Sequence, residues 1–192
     1  MLLGKKAILI WVGIRSMTKV VFFDTDCLLS FLIVNQLSNL CVFFENGIIL
    51  PRQVYEEIIR WKEYKLIIDS SIKTNVISIL DIEVDSIEDK LYIELIKPHR
   101  SKTIGKGEAA AIACAKSRNV SIASNNLKDV KWFVESYSLD HFTTARILSE
   151  MIDLNIYTLE FAERLWERMK NHKYHRKLPN LSLEECYKNK LF

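Results

Sequence analysis

Short apolar runs recur along this chain, and longer amphipathic segments separate them. The run Val20-Val21-Phe22-Phe23 is apolar at consecutive positions, which is typical of a parallel strand buried on both faces, and it predicts a strand over 19–24. A second buried strand is predicted over 120–123, and further strands are predicted over 76–80 and near 141–142.

Helical patterns fill the segments between these strands. Helices are predicted over 27–37, 51–64, 85–96, 108–116, 129–136 and 144–154, and the apolar segment 41–49 is left without an element. Pro51 suits the first position of its helix. The alternation of strands and helices predicts an α/β fold, a three-layer α/β/α sandwich around a central parallel sheet.

The two ends of the chain differ from this pattern. Residues 155–192 are predicted to form a helical extension packed on the same domain, which spans 17–154. Leu159, Ala162, Leu165, Trp166 and Met169 share one helical face, and Ser182 with Glu185 forms a capping-box pattern. Residues 1–16 contain an apolar stretch that is too short to cross a bilayer, so we expect a dispensable extension before a candidate start at Met17.

Composition narrows the class of protein only moderately. The chain has 192 residues, 49% of them hydrophobic, and a net charge of +3, which fits one core and permits a nucleic-acid partner without requiring one. Cys27, Cys41, Cys114 and Cys186 form no C-x-x-C pair. We therefore expect reduced, buried thiols, a cytoplasmic location and no membrane partner.

Four acidic residues lie where a packed core does not favour them: Asp24, Glu57, Glu108 and Asp129. Asp24 ends the first strand, and ligands bind at the carboxyl ends of strands in open α/β sheets. Glu57 shares a helical face with Val54, Ile58 and Trp61, so it needs a partner, although the edge of that face would let it reach solvent.

Each of these acidic residues also has a simpler explanation. The helix dipole alone favours Glu108 in the first turn of its helix, and helix capping explains Asp26, although it fits Asp24 less well. As a set, however, convergent carboxylates predict a divalent cation bound through oxygen and metal-assisted phosphodiester hydrolysis. The Asp-x-Asp pattern also resembles haloacid-dehalogenase-like phosphatases, but that interpretation leaves Glu57 and Glu108 unexplained.

Four motifs in order resemble PIN-domain ribonucleases, particularly the toxins of toxin–antitoxin pairs. They are Val20-Val21-Phe22-Phe23-Asp24-Thr25-Asp26, Pro51-x-x-Val54-x-x-Glu57, Gly107-Glu108-Ala109-Ala110-Ala111-Ile112-Ala113 and Ile122-Ala123-Ser124-Asn125-Asn126. The resemblance covers about residues 19–145. It implies a PIN-like fold and cleavage of single-stranded RNA.

The resemblance also implies roles for individual residues. The catalytic residues would be Asp24, Glu57, Glu108 and Asp129, and Mg²⁺ or Mn²⁺ would be bound by Asp24, Glu57, Glu108 and Asn126. Thr25, Ser124, Asn125 and Lys106 would contact the substrate. The sequence departs from the family at Asn125 and Asn126, where an aspartate is common. The alternative is therefore a catalytically weakened PIN-like module that binds RNA or protein.

Partner surfaces are predicted from charge and from apolar faces. Candidate RNA contacts are Arg100, Lys102, Lys106, Lys170, Lys173, Arg176 and Lys177, although the last four also fit a solvated helix end. An antitoxin or a second copy in a homodimer could contact Phe31, Ile33 and Trp61, or Trp166 and Met169. Core packing explains those apolar residues equally well.

Overall fold

A computed structural model describes residues 20–45, 47–97, 104–173 and 178–191. The N-terminal extension, Arg100, Lys102, Arg176 and Lys177 lie outside the described residues. The strands are β1 (Val21–Phe23), β2 (Ile48–Pro51), β3 (Ile77–Leu80), β4 (Ser121–Ala123) and β5 (His141–Phe142). The helices are α1 (Thr25–Ile33), α2 (Leu37–Phe43), α3 (Arg52–Ile58), α4 (Lys62–Lys73), α5 (Ile87–Ile96), α6 (Lys106–Arg118), α7 (Leu127–Tyr137), α8 (Thr144–Asp153), α9 (Leu159–Lys170) and α10 (Leu183–Asn189).

The five strands form one sheet in the order β3-β2-β1-β4-β5, and each pairing is parallel. Successive strands move outward from β1 on one side, and the chain then returns to place β4 on its other side. This reversal creates a topological switch point between β1 and β4, where parallel α/β sheets open a crevice at their carboxyl edge.

The sheet is covered on both faces, as the sequence predicted. Val21 and Phe23 belong to one core cluster, which includes residues of α1, α8 and α9. Phe22 points to the other face and packs in a cluster with residues of α6 and α7. The alternation of adjacent β1 side chains between two apolar layers explains why the run is apolar throughout. The predicted three-layer α/β/α sandwich is confirmed.

Three local predictions were wrong. The predicted helix over 27–37 is instead α1 followed by α2, because Asn35 adopts a positive φ of 58°, a conformation that asparagine tolerates better than most residues. The segment 41–49, which was left without an element, includes the end of α2 and the start of β2, a strand that ends at Pro51. The predicted helix over 51–64 is divided into α3 and α4, with Trp61 in an extended conformation between them.

The C-terminal helices extend the first of these two clusters. Ala162, Leu165, Trp166 and Met169 of α9 are buried, and the indole N–H of Trp166 donates to the carbonyl of Leu181 at 2.9 Å. The capping box of Ser182 and Glu185 is present at the start of α10. Trp166 and Met169 are therefore part of the core, as is Phe31 of α1, and none of the three can form the predicted partner surface.

The other two residues of that predicted surface, Ile33 and Trp61, are partly buried against the core. Within the described part of the chain, no helix is both long and apolar enough to cross a membrane.

All four cysteines are free and buried. Burial raises the pKa of the Cys41 thiol to about 12 and that of Cys114 to about 12. Burial also raises the pKa of Cys27, whose sulfur lies 3.6 Å from the Thr144 hydroxyl. Thiols of this kind stay protonated at neutral pH, so they are poor nucleophiles and poor metal ligands.

Candidate functional site

A cavity of about 430 Å³ opens at the carboxyl edge of the sheet, at the switch point between β1 and β4. The residues that line it are Asp24, Thr25, Asp26, Glu57, Trp61, Gly105, Glu108, Asn126 and Asp129. The structure thus brings together the four acidic residues singled out from the sequence, although they come from four different segments. We call this cavity the carboxylate pocket.

Asp24 lines the carboxylate pocket and is only 3% exposed. Its Oδ1 accepts a hydrogen bond from the backbone N–H of Thr25 at 2.6 Å, so Asp24 caps α1. Its Oδ2 accepts one from the Ser124 hydroxyl at 3.0 Å. The cap that the sequence assigned more readily to Asp26 is therefore formed by Asp24, and that same carboxylate also faces the cavity.

Glu57 is held by donors from two other segments. Its Oε2 accepts a hydrogen bond from the Thr25 hydroxyl at 2.5 Å, and its Oε1 accepts one from the backbone N–H of Gly107 at 3.0 Å. The partner that the sequence required for Glu57 is thus a pair of uncharged donors. Because both carboxylate oxygens are engaged, Glu57 links α3 to the starts of α1 and α6.

Glu108 and Asp129 occupy the first turns of α6 and α7. Glu108 is 5% exposed, and the N-terminal end of a helix stabilises a negative charge there. The Oδ2 of Asp129 accepts a hydrogen bond from the side-chain amide of Asn126 at 2.7 Å. Both helix starts therefore present a carboxylate to the pocket.

Two residues of the loop after β4 have different surroundings. The Ser124 hydroxyl accepts from the backbone N–H of Asn126 at 3.2 Å while it donates to Asp24, so it positions both groups. The amide oxygen of Asn125 accepts from the backbone N–H of Thr144 at 2.8 Å. Its amide nitrogen donates to the hydroxyls of Thr144 at 2.9 Å and Ser30 at 3.3 Å. Asn125 is therefore directed toward α1 and α8, and it is not among the residues that line the carboxylate pocket.

The loop is also supported from β5. The Nε2 of His141 lies 2.8 Å from the Ser124 carbonyl, and because a carbonyl can only accept, His141 is the donor. Burial lowers the pKa of His141. Next to it, Arg146 donates to Asp140 at 2.8 Å and to Glu150 at 2.7 Å. These contacts hold the loop without adding a basic group to the carboxylate pocket.

The family model described as a PIN domain matches residues 20–181, which is more than half of the chain. The chain belongs to the PIN-domain family. A search of curated proteins gave no match. PIN domains are generally nucleases and usually use divalent metal ions.

The donor set of this PIN domain fits such an ion. Five carboxylates and the Asn126 amide line the carboxylate pocket, and its lining among the described residues includes no lysine, arginine or histidine. Oxygen donors suit Mg²⁺ and Mn²⁺, and a cation would offset the repulsion among the acids. In the described residues, however, no three acidic, histidine or cysteine side chains converge as a preformed metal cage.

Cationic residues of the PIN domain lie outside the pocket. Lys106 is exposed on the first turn of α6, beside Gly107 and Glu108. Lys170 forms an ion pair with Glu167 at 2.6 Å and donates to the Leu181 carbonyl at 3.1 Å, so it joins α9 to the segment before α10. Of the described candidates for RNA contact, Lys106 is the one that is adjacent in sequence to a pocket-lining residue, Gly105.

Sequence reasoning missed three contributors to the pocket. Asp26 lines it in addition to the four predicted acids, and Trp61 lines it from the turn between α3 and α4. Gly107 matters because its missing side chain leaves room for Glu57. The spacing of four residues did place Trp61 on the helical face of Glu57, but as part of an apolar stripe, and the break between α3 and α4 has no signal in the apolar pattern.

Proposed function

We propose that this PIN domain is a metal-dependent endoribonuclease that hydrolyses phosphodiester bonds of single-stranded RNA in the cytoplasm. The observation that carries the proposal is the pocket at the switch point, which gathers five carboxylates and no basic side chain within the described residues. A site with that charge repels a bare phosphate, so its acids are useful to a nuclease only together with a cation.

The proposed roles follow from how each carboxylate is held. Asp24 and Glu108, which are both buried, would hold Mg²⁺ or Mn²⁺, and Asn126 and Asp129 would complete the oxygen donors from the start of α7. Glu57 accepts from Thr25 and Gly107, so we assign it the task of fixing the start of α6 against the start of α1. This differs from the direct ligand role that the family resemblance implied for Glu57.

A bound Mg²⁺ or Mn²⁺ would supply Lewis-acid activation of water and would offset charge on the phosphate. The chain itself would orient the reacting groups. Ser124 keeps Asp24 in one rotamer through its hydrogen bond, and Asn126 does the same for Asp129. Positioning of this kind lowers the cost of assembling the reacting groups.

The substrate contacts are proposed from the residues around the pocket. Lys106 would contact a phosphate next to Glu108, and Thr25, which lines the pocket, would approach the reacting group. Asn125 and Ser124 support the loop in this proposal, since their polar atoms are used by Thr144, Ser30, Asp24 and Asn126. A recessed pocket favours an RNA strand that can bend, so single strands or loops are the expected substrates.

Cleavage of a mixed pool of single-stranded RNA tests the proposal directly. Purified protein is incubated with Mg²⁺, Mn²⁺ or EDTA, with Asp24→Asn and Glu108→Gln proteins alongside. We expect cutting that requires the metal and falls by more than about 100-fold in both variants. Metal-independent cutting, or cutting retained by both variants, would show that the activity resides elsewhere.

Two observations favour a second candidate, a PIN-like module that binds RNA or protein without cutting. The described acidic groups do not converge as a metal cage, and Asn126 stands at the pocket where a carboxylate is common in the family. The two candidates differ in the same assay. Retained RNA binding with no cleavage under any metal condition would replace the nuclease by the binding module.

The toxin role implied by the family resemblance needs its own test. We propose that the protein arrests growth by cutting RNA, with an antitoxin as partner. Induced expression should then stop bacterial growth, and Asp24→Asn should restore it at equal protein level. Growth arrest that persists in the Asp24→Asn protein would separate toxicity from the carboxylate pocket.

A further inference from the structure

The outer side of α7 carries an exposed aromatic residue close to the carboxylate pocket. Trp132 is 60% exposed, whereas Val130 and Phe133 of the same helix are buried. Asp129, which lines the pocket, precedes Trp132 by three residues on the same helix. Residues three apart are neighbours on a helix surface, so the indole lies on the side of α7 next to the pocket.

The Trp132 ring is held in place by other aromatic rings. It meets Phe133 edge to face at a centroid distance of 4.9 Å and Tyr137 at 6.4 Å. Phe133 is itself anchored in the core. The edge-to-face contact already orients the indole. Binding of a planar ligand to its exposed face would therefore cost little further rotamer freedom.

One lysine contacts this aromatic cluster, and two more lie on the same helix as Trp132. The Lys116 ammonium lies 4.9 Å from the centroid of the Tyr137 ring. Lys128 and Lys131 are exposed on α7, and Lys128 lies one turn before Trp132. Lys131 also pairs with Glu135 at 3.8 Å, but exposed pairs of this kind are weak.

We infer that Trp132 is a stacking platform for a base of single-stranded RNA, with Lys116 and Lys128 beside it for the adjacent phosphates. The inference rests on the proposed function, because the same strand would continue into the carboxylate pocket. Aromatic rings interleaved with lysines are the usual means of holding single strands. The cations favour RNA as the occupant, since an apolar protein helix would have to cover them without compensation.

Coupling between Trp132 and the bases can be measured without cleavage. Fluorescence anisotropy measures the affinity of the Asp24→Asn protein for two labelled probes. One is a ten-nucleotide RNA, and the other has the same length but contains abasic nucleotides. Trp132→Ala should weaken binding of the RNA by about ten-fold or more and leave binding of the abasic probe unchanged. Trp132→Phe should retain most of the affinity, whereas Trp132→Leu should behave like Trp132→Ala.

The salt dependence of RNA binding distinguishes base stacking from phosphate contacts. A surface variant and melting curves serve as controls for misfolding. Trp132→Ala should leave the salt slope of binding unchanged, whereas Lys128→Gln should reduce it by about one. Leu66→Ala removes a side chain that is 76% exposed on α4, and it should not change the binding of either probe. Melting curves of the Trp132 variants should stay close to that of the parent protein.

Several outcomes would overturn the platform. Equal weakening of both probes would show that the indole contacts no base, and the absence of RNA binding would also reject it. Unchanged RNA affinity with an altered oligomeric state in Trp132→Ala would assign this surface to a protein partner. Base coupling without metal-dependent cleavage in the parent protein would reject the nuclease alone, and cleavage without base coupling would reject the platform alone.

Discussion

Glu57 occupies the space that a side chain at Gly107 would need. An ideal Cβ on Gly107 would lie 2.9 Å from Glu57 Oε2 and 3.0 Å from both Oε1 and Cδ. The Gly107 backbone N–H donates to the Glu57 carboxylate at 3.0 Å. Glycine at this position lets the first turn of α6 approach closely enough to hold the carboxylate with its backbone.

Replacing Gly107 by alanine should therefore displace Glu57. We expect Gly107→Ala to lower metal-dependent RNA cleavage by about ten-fold or more, as is common when a supporting contact of a metal site is lost. Thermal stability should change little, because the higher helix propensity of alanine, about 1 kcal/mol over glycine, offsets the loss of the contact with Glu57. Gly105→Ala, also at the pocket, is the matched control for the steric effect, since its Cβ would meet nothing within 4 Å and would leave Glu57 in place. Equal losses in both variants would contradict the steric explanation.

The hydroxyl of Thr25 should matter more than its methyl group. Thr25→Val keeps the shape of the side chain but removes the donor to Glu57, so cleavage should fall by about 10- to 100-fold. Thr25→Ser keeps the donor and should retain most of the activity. Initial cleavage rates of the three proteins at saturating Mn²⁺ provide the measurement, and similar rates for the valine and serine variants would rule out the hydroxyl as the important group.

A carboxylate at position 126 should make the melting temperature more dependent on the concentration of Mn²⁺. Asn126→Asp replaces the amide that donates to Asp129 by an acid that repels it, so the melting temperature without metal should fall. The added charge should also strengthen cation binding, so Mn²⁺ should raise the melting temperature of the variant more than that of the parent protein. Scanning fluorimetry across a Mn²⁺ titration measures both effects. A variant that is less stable at every Mn²⁺ concentration by the same amount would argue against a cation beside Asn126.

Protonation of His141 should destabilise the fold in mildly acidic solution. Burial lowers the pKa of His141 below its ordinary value of 6.5, and Arg146 lowers it further, although the Ser124 carbonyl and Asp140 act in the opposite direction. As the pH falls through 6.5, the unfolded chain binds the proton first, so the free energy of unfolding decreases.

His141→Gln keeps a donor but does not titrate, and it provides the comparison. Above about pH 7 the difference in melting temperature between the parent protein and His141→Gln should be constant, because neutral histidine dominates in both states. Below that pH the parent protein should lose stability faster than the variant. Parallel curves from pH 7.5 to pH 5 would mean that His141 has the same pKa folded and unfolded.

The fold and most of the pocket could be predicted because their signals are local. The apolar run before Asp24 predicted a buried strand with an acid at its carboxyl edge, and the helix that begins near Glu108 predicted a second acid at a helix start. Parallel strands bring such ends to one edge of the sheet. The location of these acids therefore followed from the predicted secondary structure alone.

Partners across long sequence separations could not be predicted in the same way. Thr25 is 32 residues from Glu57, and Gly107 is 50 residues from it, so no spacing rule relates them. The consecutive residues Asn125 and Asn126 look equivalent in the sequence, yet Asn126 lines the pocket and Asn125 is directed to Thr144. Loop backbone geometry decides which of two neighbours faces a cavity, and the apolar pattern carries no information about it.

The strand order has a consequence for the newly synthesised chain. Asp24 meets Ser124 across 100 residues, and the pocket is completed only when Asp129 has joined it. Contacts of such long sequence separation form slowly and require most of the domain to leave the ribosome first. A growing chain that has not yet reached β4 therefore has no assembled carboxylate pocket, and this group of acids comes together only after the sheet has closed around β1.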